Sequence, residues 1–290
     1  MYQTRVFMLY RIRVLLTCLL IGLFNADALT QENQPPQFDI APSENHQQQA
    51  TTPSQSTLGL NREETNWLAK HPVINFFIDS DSPPYQFRRN DKPIGITVDL
   101  LEVIEQQLGI RFLKSSLPSD TLAKDVISGN VSMFGIWPEQ SFMEDTPYLK
   151  TNTIVKGYLS LFGRENDQVS NNINEIKNHK IGIVKGFNEK IITKLGKYNE
   201  IITIDKAERI GALLSKQIDL YLIYREVGRF GLKQNMTRGI EEKYTFPETH
   251  NGVIYIHKSE PLLWSIINKV IGDISDKELP RILEKWYGVE

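Results

Sequence analysis

Two short stretches carry side chains that could hold a small molecule. The first lies in residues 71–87, HPVINFFIDSDSPPYQF, where an apolar run from Val73 to Ile78 stops at Asp79, Ser80, Asp81 and Ser82. Two prolines and an aromatic pair follow. Pro83 and Pro84 remove backbone donors and fix the chain's path, so Tyr85 and the polar residues before it would be presented at little entropic cost. Asp79 and Ser82 offer hydrogen-bonding groups, and Tyr85 offers a ring with a hydroxyl. A turn of this composition can equally bury its aromatic residues. Phe87 is expected in the core, while Asp79 and Tyr85 stay open between packing and ligand contact. The second stretch is VKGFNEK, residues 184–190. A strand ending at Val184, a glycine that lets backbone approach a ligand, and an Asn188 cap would place Lys185, Gly186, Phe187 and Asn188 at a helix N-terminus, whose free amides favour an anion. The same geometry often serves only as a connection.

Catalytic chemistry finds little support. The chain has no G-x-S-x-G elbow, no Walker loop and no H-E-x-x-H helix. Its five histidines (46, 71, 179, 250 and 257) are scattered without ligand spacing, so neither a zinc site nor a Ser-His-Asp arrangement can be built from them. No metal and no cofactor are expected. Asp79 or Glu139 could be put forward as a cleft acid, but an acid-base role needs a shifted pKa and a positioned substrate. The expectation is a protein that is not an enzyme.

The composition narrows the class. With 290 residues, 40% hydrophobic and 23% charged, the chain can form one large domain or two smaller lobes. Its 33 basic and 35 acidic residues form no long run of one sign, which argues against a nucleic-acid partner. At the N-terminus, Arg5, Arg11 and Arg13 precede an apolar run from Val14 to Phe24, and Ala26-Asp27-Ala28 supplies small residues for cleavage. That order describes a secretory signal peptide, residues 1–28; a membrane span would need about twenty apolar residues. Its removal takes three Arg and one Asp, moving the formal charge from −2 to −4. Cys18 is the only cysteine, so the mature chain would be exported without a disulfide framework, which suits the periplasm. Residues 29–57, rich in Gln, Pro, Ser and Thr, are expected to form a disordered linker.

From Leu58 onward, short apolar runs alternate with amphipathic helical patterns. Thr97 is expected to cap a helix that carries Val98, Leu101, Ile104 and Leu108 on one face and ends at Gly109. Strands are expected at 110–113 and 131–136 with a helix between them, and a long strand at 153–162. A second series follows: strand 180–184, helix 188–195, strand 200–204, helix 206–216, strand 218–223. Strand 252–257 and helices near 260–272 and 276–287 close the chain. Such alternation implies βαβ units around a mostly parallel sheet.

These elements carry a resemblance. The lead-in WLxxHP (Trp67, Leu68, His71, Pro72), the PPYQF lip, GITVDLLEVIEQQLG, DTPYL at 145–149, IGIVKGF at 181–187, SKQIDLYLI at 215–223 and ILEKWYG at 282–288 together resemble the periplasmic solute-binding proteins of the amino-acid-binding type, family 3. The likeness is strongest to the Venus-flytrap sensor domains of hybrid histidine kinases. It covers residues 58–290. It implies an α/β, two-lobed type II periplasmic binding protein with a mixed sheet in each lobe and a two-stranded hinge, crossing near 151–157 and 246–252. Lobe 1 would comprise 58–152 and 250–290, and lobe 2 would comprise 153–249. Ligands of open α/β sheets bind beyond the carboxyl ends of strands, where β-strand 73–78 delivers its polar lip.

The chain departs from that family at the charged anchors. Gln140 stands where the carboxylate-binding arginine is expected, and Tyr224 where the ammonium-binding aspartate is expected. Ser82 replaces an aromatic residue of the lip, and Phe187 replaces a small hydroxyl residue. Glutamine cannot match an Arg fork on a carboxylate. The resemblance therefore implies a cleft lined by Asp79, Ser82, Tyr85, Trp137, Gln140, Lys185, Gly186, Phe187, Asn188 and Tyr224, for a small molecule other than a standard free amino acid. Arg225 is expected to be a solvated helix residue. The function expected is capture of a solute by hinge closure, for transport or sensing, in a periplasmic monomer that would work with a separate membrane permease or sensor kinase. The competing expectations are a dehydratase-like enzyme in the same cleft and an interaction module with no ligand.

Overall fold

The computed structural model describes residues 58–138, 146–184 and 189–288. Asn61 opens α1 (Arg62–Lys70) through a reciprocal capping box with Glu64: its side chain accepts from the Glu64 N–H at 2.9 Å, and the Glu64 carboxylate accepts from the Asn61 N–H at 2.8 Å. Glu64 is buried, and it also receives Lys269 Nζ at 2.6 Å and Ser265 Oγ at 2.7 Å, which fastens α1 to α7 (Pro261–Ile274).

The run after His71 forms β1 (Val73–Asp79), with Ile74, Phe76 and Ile78 pointing inward. It pairs in parallel with β5 (Arg111–Leu117) along its whole length and with β6 (Met133–Pro138) at Phe77↔Phe134. Between β1 and β5 the chain builds a small antiparallel sheet, β2 (Asp81–Ser82), β3 (Gln86–Arg89) and β4 (Lys92–Ile94). Then comes α2 (Ile96–Leu108), which stops at Gly109 in the left-handed region with φ 68°. α3 (Ser119–Ile127) connects β5 to β6.

Thr97 is not the cap of α2. The N-cap is Gly95, and the first N–H groups of the helix bond to the lip instead, Ile96 to the Pro84 carbonyl at 3.1 Å and Thr97 to the Tyr85 carbonyl at 2.8 Å. The Thr97 hydroxyl is buried and accepts from the Ile136 N–H at 3.1 Å, tying α2 to β6. Backbone carbonyls thus satisfy the orphan donors that a side-chain cap would otherwise meet.

The second half follows β7 (Tyr148–Lys150) and β8 (Val155–Arg164): β9 (Lys180–Ile183), α4 (Glu189–Gly196), β10 (Glu200–Thr203), α5 (Arg209–Leu214), β11 (Leu220–Tyr224) and α6 (Arg225–Gln234). β9 pairs in parallel with β10 and β11, and β11 is antiparallel to β8. The chain returns through β12 (Ile240–His257) and ends in α7 and α8 (Glu278–Tyr287). β12 is far longer than the strand expected at 252–257, because its polar first part pairs with β8 while Gly252 to His257 pair with β6 and β7. The nine-stranded sheet runs β10-β9-β11-β8-β12-β6-β1-β5, with β7 beside β12.

The core divides on either side of the β8/β12 pair. One set of buried apolar side chains gathers around Phe76, Leu101, Ile104 and Ile267, with a neighbouring group around Phe134 and Tyr255. A second set gathers around Leu161, Ile181, Leu222 and Phe246, with a neighbouring group around Phe162, Leu213 and Tyr221. Burial of this kind contributes about 25 cal/mol per Å² of apolar surface, so each half has its own driving force. The β12 register is irregular between Thr245 and Thr249.

Candidate ligand-binding cleft

A cavity of about 200 Å³ opens where β1, β6, β8, β11 and β12 meet. Asp79, Ser82, Tyr85, Trp137 and Tyr224, five residues nominated from the sequence, all line it. Gly157 and Val155 from β8, Val227 from α6, and His250 and Gly252 from β12 complete much of the wall. Glu139, Gln140, Lys185, Gly186, Phe187 and Asn188 lie outside the described residues.

Asp79 ends β1 and is buried, and its carboxylate organises the turn. One oxygen accepts from the Asp81 N–H at 2.9 Å and the other from the Ser82 hydroxyl at 2.7 Å. This is an Asx-type turn, and it gives both residues a structural role at the wall they share. Tyr85 is then set by the α2 N-terminus, as described above. Its neighbour Phe87 is buried as expected, in an aromatic wedge: it meets Phe230 of α6 edge to face at 5.8 Å and Trp286 of α8 at 5.7 Å. Two polar contacts also join the lip to the other half, Lys206 Nζ to the Asp81 carbonyl at 2.9 Å and Arg89 Nη2 to Gln234 Oε1 at 2.9 Å.

Burial sets the protonation states in the cavity. It pushes the Tyr85 hydroxyl well above its ordinary range, reinforced by Tyr287 and the Glu226 carboxylate. Tyr224 is raised too, by burial and then by Tyr255, and Tyr287 is raised by burial despite the Tyr85 hydroxyl beside it. All three are neutral phenols. His250 is lowered by burial, against the opposing pull of Glu248, and is held as the neutral imidazole. Its ring meets Tyr224 edge-on at 5.6 Å, and its Nε2 has no hydrogen-bond partner.

Three participants were not anticipated. His250 is isolated in sequence, so no spacing announces it. Tyr287 comes from the last helix. Glu226 sits in a polar segment and reads as a solvated charge, yet it is buried; its Oε1 takes Arg225 Nε at 3.1 Å and Nη2 at 3.0 Å, while Oε2 has no partner. Arg225 is accordingly not the solvated helix residue expected. Its guanidinium lies 4.7 Å from the Tyr158 ring centre, held between that ring and Glu226, because stacking and pairing together outweigh free hydration.

The chemistry available is recognition: apolar and aromatic walls with a few polar tips. Among the described residues, no group of three or more His, Cys, Asp or Glu could hold a metal ion.

Residues 74–289 match the family model of bacterial extracellular solute-binding proteins, family 3. Among solved structures, the chain is similar to the periplasmic domain of Bordetella pertussis BvgS at 17% identity and a TM-score of 0.69, covering 79% of this chain and 45% of that one. The chain therefore spans about half the length of that relative. It is similar to the BvgS periplasmic VFT2 domain alone at 17% identity and a TM-score of 0.70, covering 78% of this chain and 98% of that one. An ancestral arginine-binding protein bound to arginine gives 18% identity and a TM-score of 0.65, over 75% of this chain and 99% of that one. At such identities the likeness is one of fold. No curated protein sequence matches the chain. The expected α/β architecture of the two-lobed, type II periplasmic binding proteins is borne out: a large mixed sheet and a small antiparallel one, in a chain whose structural neighbours have that fold.

Proposed function

From the premise that the chain belongs to the bacterial extracellular solute-binding proteins, family 3, we propose that it captures a small molecule in the cavity beside β8 and β12, by closure of its two lobes, outside the cytoplasm. Lobe 1 is 58–152 with 250–290, and lobe 2 is 153–249. The observation that carries this reading is convergence: Asp79, Ser82, Tyr85, Trp137 and Tyr224, from separate elements on both sides of the hinge strands, line one cavity. A ligand touching both sides favours the closed form through its differential contacts. The reading is one of binding without catalysis: Asp79, the described wall residue nominated as an acid, serves the turn through Asp81 and Ser82.

The ligand is not a standard free amino acid held by the usual anchors: the resemblance puts Tyr224 at the position of the acidic anchor, and Tyr224 lines the cavity. The setting is the periplasm, reached through a cleaved signal peptide at residues 1–28. The protein acts as a monomer that hands its signal or solute to a membrane permease or sensor kinase. A thermal-shift screen over a broad metabolite library tests the reading, because a ligand that binds only the folded state raises the midpoint by mass action. At least one compound should raise it for the native protein and fail to do so for Tyr224→Ala. A library without a single such compound would remove the proposal.

A further inference from the structure

Beside the cavity wall, one buried carboxylate oxygen, Glu226 Oε2, has no hydrogen-bond partner. Gly157 lines the cavity without a side chain, and a Cβ placed there would stand 3.5 Å from the Tyr85 hydroxyl, 3.6 Å from Glu226 Oε2 and 3.6 Å from Cδ1 of Tyr224. The glycine leaves a small hollow walled by a carboxylate oxygen, a phenol and an aromatic ring. Glu226 is 8% exposed and its Oε2 has no partner. The Tyr287 hydroxyl, close enough to interact with both Tyr85 and Glu226, also lacks a bond of good geometry. A buried carboxylate oxygen left without a donor is costly, even where its twin is paired, as Glu226 Oε1 is with Arg225.

No Lys or Arg is among the described residues lining the cavity, and Arg225 is engaged by Glu226 and Tyr158. A ligand carboxylate or phosphate would meet a carboxylate at the hollow. The volume of about 200 Å³ is below the ~300–1,000 Å³ of drug-sized sites. A single ring with a short arm fills it.

Resting on the reading of this cavity as a ligand site, the geometry points to a ligand class: a single-ring aromatic amine without a carboxylate, its ammonium in the Gly157 hollow against Glu226 Oε2 and the Tyr85 hydroxyl. The ring lies in the aromatic part of the cavity bounded by Trp137 and Tyr224. The unpartnered His250 Nε2 can pair with a ring hydroxyl, so a phenolic amine satisfies both ends.

Isothermal titration of the full protein with three probes of matched shape tests this: tyramine, 3-(4-hydroxyphenyl)propanoate and 4-ethylphenol. Tyramine should bind at least about tenfold more tightly than the acid, the scale of one charge-assisted buried hydrogen bond. Glu226→Gln should remove about that factor for tyramine while leaving 4-ethylphenol nearly unchanged. Gly157→Ala fills the hollow at ordinary van der Waals distances, so it should fold normally and lose tyramine in the same way; it carries the test if Glu226→Gln proves unstable. An acid that binds as well as tyramine, or tyramine affinity unchanged in both variants, overturns the proposal. Failure of tyramine alongside a midpoint shift from another library compound overturns the amine class and leaves the cavity reading standing. No shift from any compound removes both.

Discussion

The carbonyl oxygen of Tyr85 lies 2.6 Å from where a Cβ on residue 95 would stand. Gly95, with φ 125°, is therefore what lets the lip lie directly on the start of α2. Gly95→Ala forces both a backbone conformation open essentially to glycine alone, at about 1–3 kcal/mol, and a clash with Tyr85. The midpoint of urea unfolding should fall accordingly. Any ligand found for the cavity should also bind more weakly, because Tyr85 is displaced.

The edge-to-face contact of Phe87 with Phe230 joins the lip to α6. A double-mutant cycle of Phe87→Leu and Phe230→Leu, followed by denaturation, should give a coupling energy of about 0.5–1.5 kcal/mol. A coupling near zero would mean that the two rings do not meet in solution.

Acid should weaken the protein through Glu64. Burial raises its carboxyl, but Lys269, the Asn61 N–H and Ser265 together hold it below the ordinary 4.5. Its folded pKa is thus below its unfolded one, so the stability it contributes is present above pH 4.5 and is lost as pH falls through the folded value. The stability deficit of Glu64→Gln relative to the native protein should be largest near neutral pH and shrink as pH falls below 4.5.

His250 predicts a separate slope. Its folded pKa lies below the ordinary 6.5 because burial disfavours the charged ring. Between the two values the unfolded chain binds more protons, so stability falls as pH drops below 6.5. His250→Asn should flatten that part of the pH–stability curve.

Much of the fold was legible because its apolar runs are periodic. The alternation in β1 and the stripe of Val98, Leu101, Ile104 and Leu108 in α2 announce themselves. The extent of α6 does not, since Gly228 and Gly231 are poor helix formers. Gly228 is there for packing: a Cβ would fall 2.4 Å from the Phe162 ring, so only glycine lets α6 lie this close to β8. The first part of β12 is too polar to look like a strand, and its partner β8 decides the matter. At the site, Tyr85 is marked by the proline lip and Trp137 and Tyr224 by the resemblance, whereas Glu226 and His250 are marked by neither. Their burial is a property of the tertiary arrangement, which no local spacing records.

Closure of the cavity on its ligand is measured directly by a cross-cleft distance. On the chain from residue 29 onward, which holds no native cysteine, spin labels at Lys70→Cys at the end of α1 and Lys197→Cys just after α4, two exposed positions, report that distance by pulsed electron paramagnetic resonance. A saturating ligand from the screen should collapse the distribution onto a single short distance. A distribution identical with and without ligand would contradict closure.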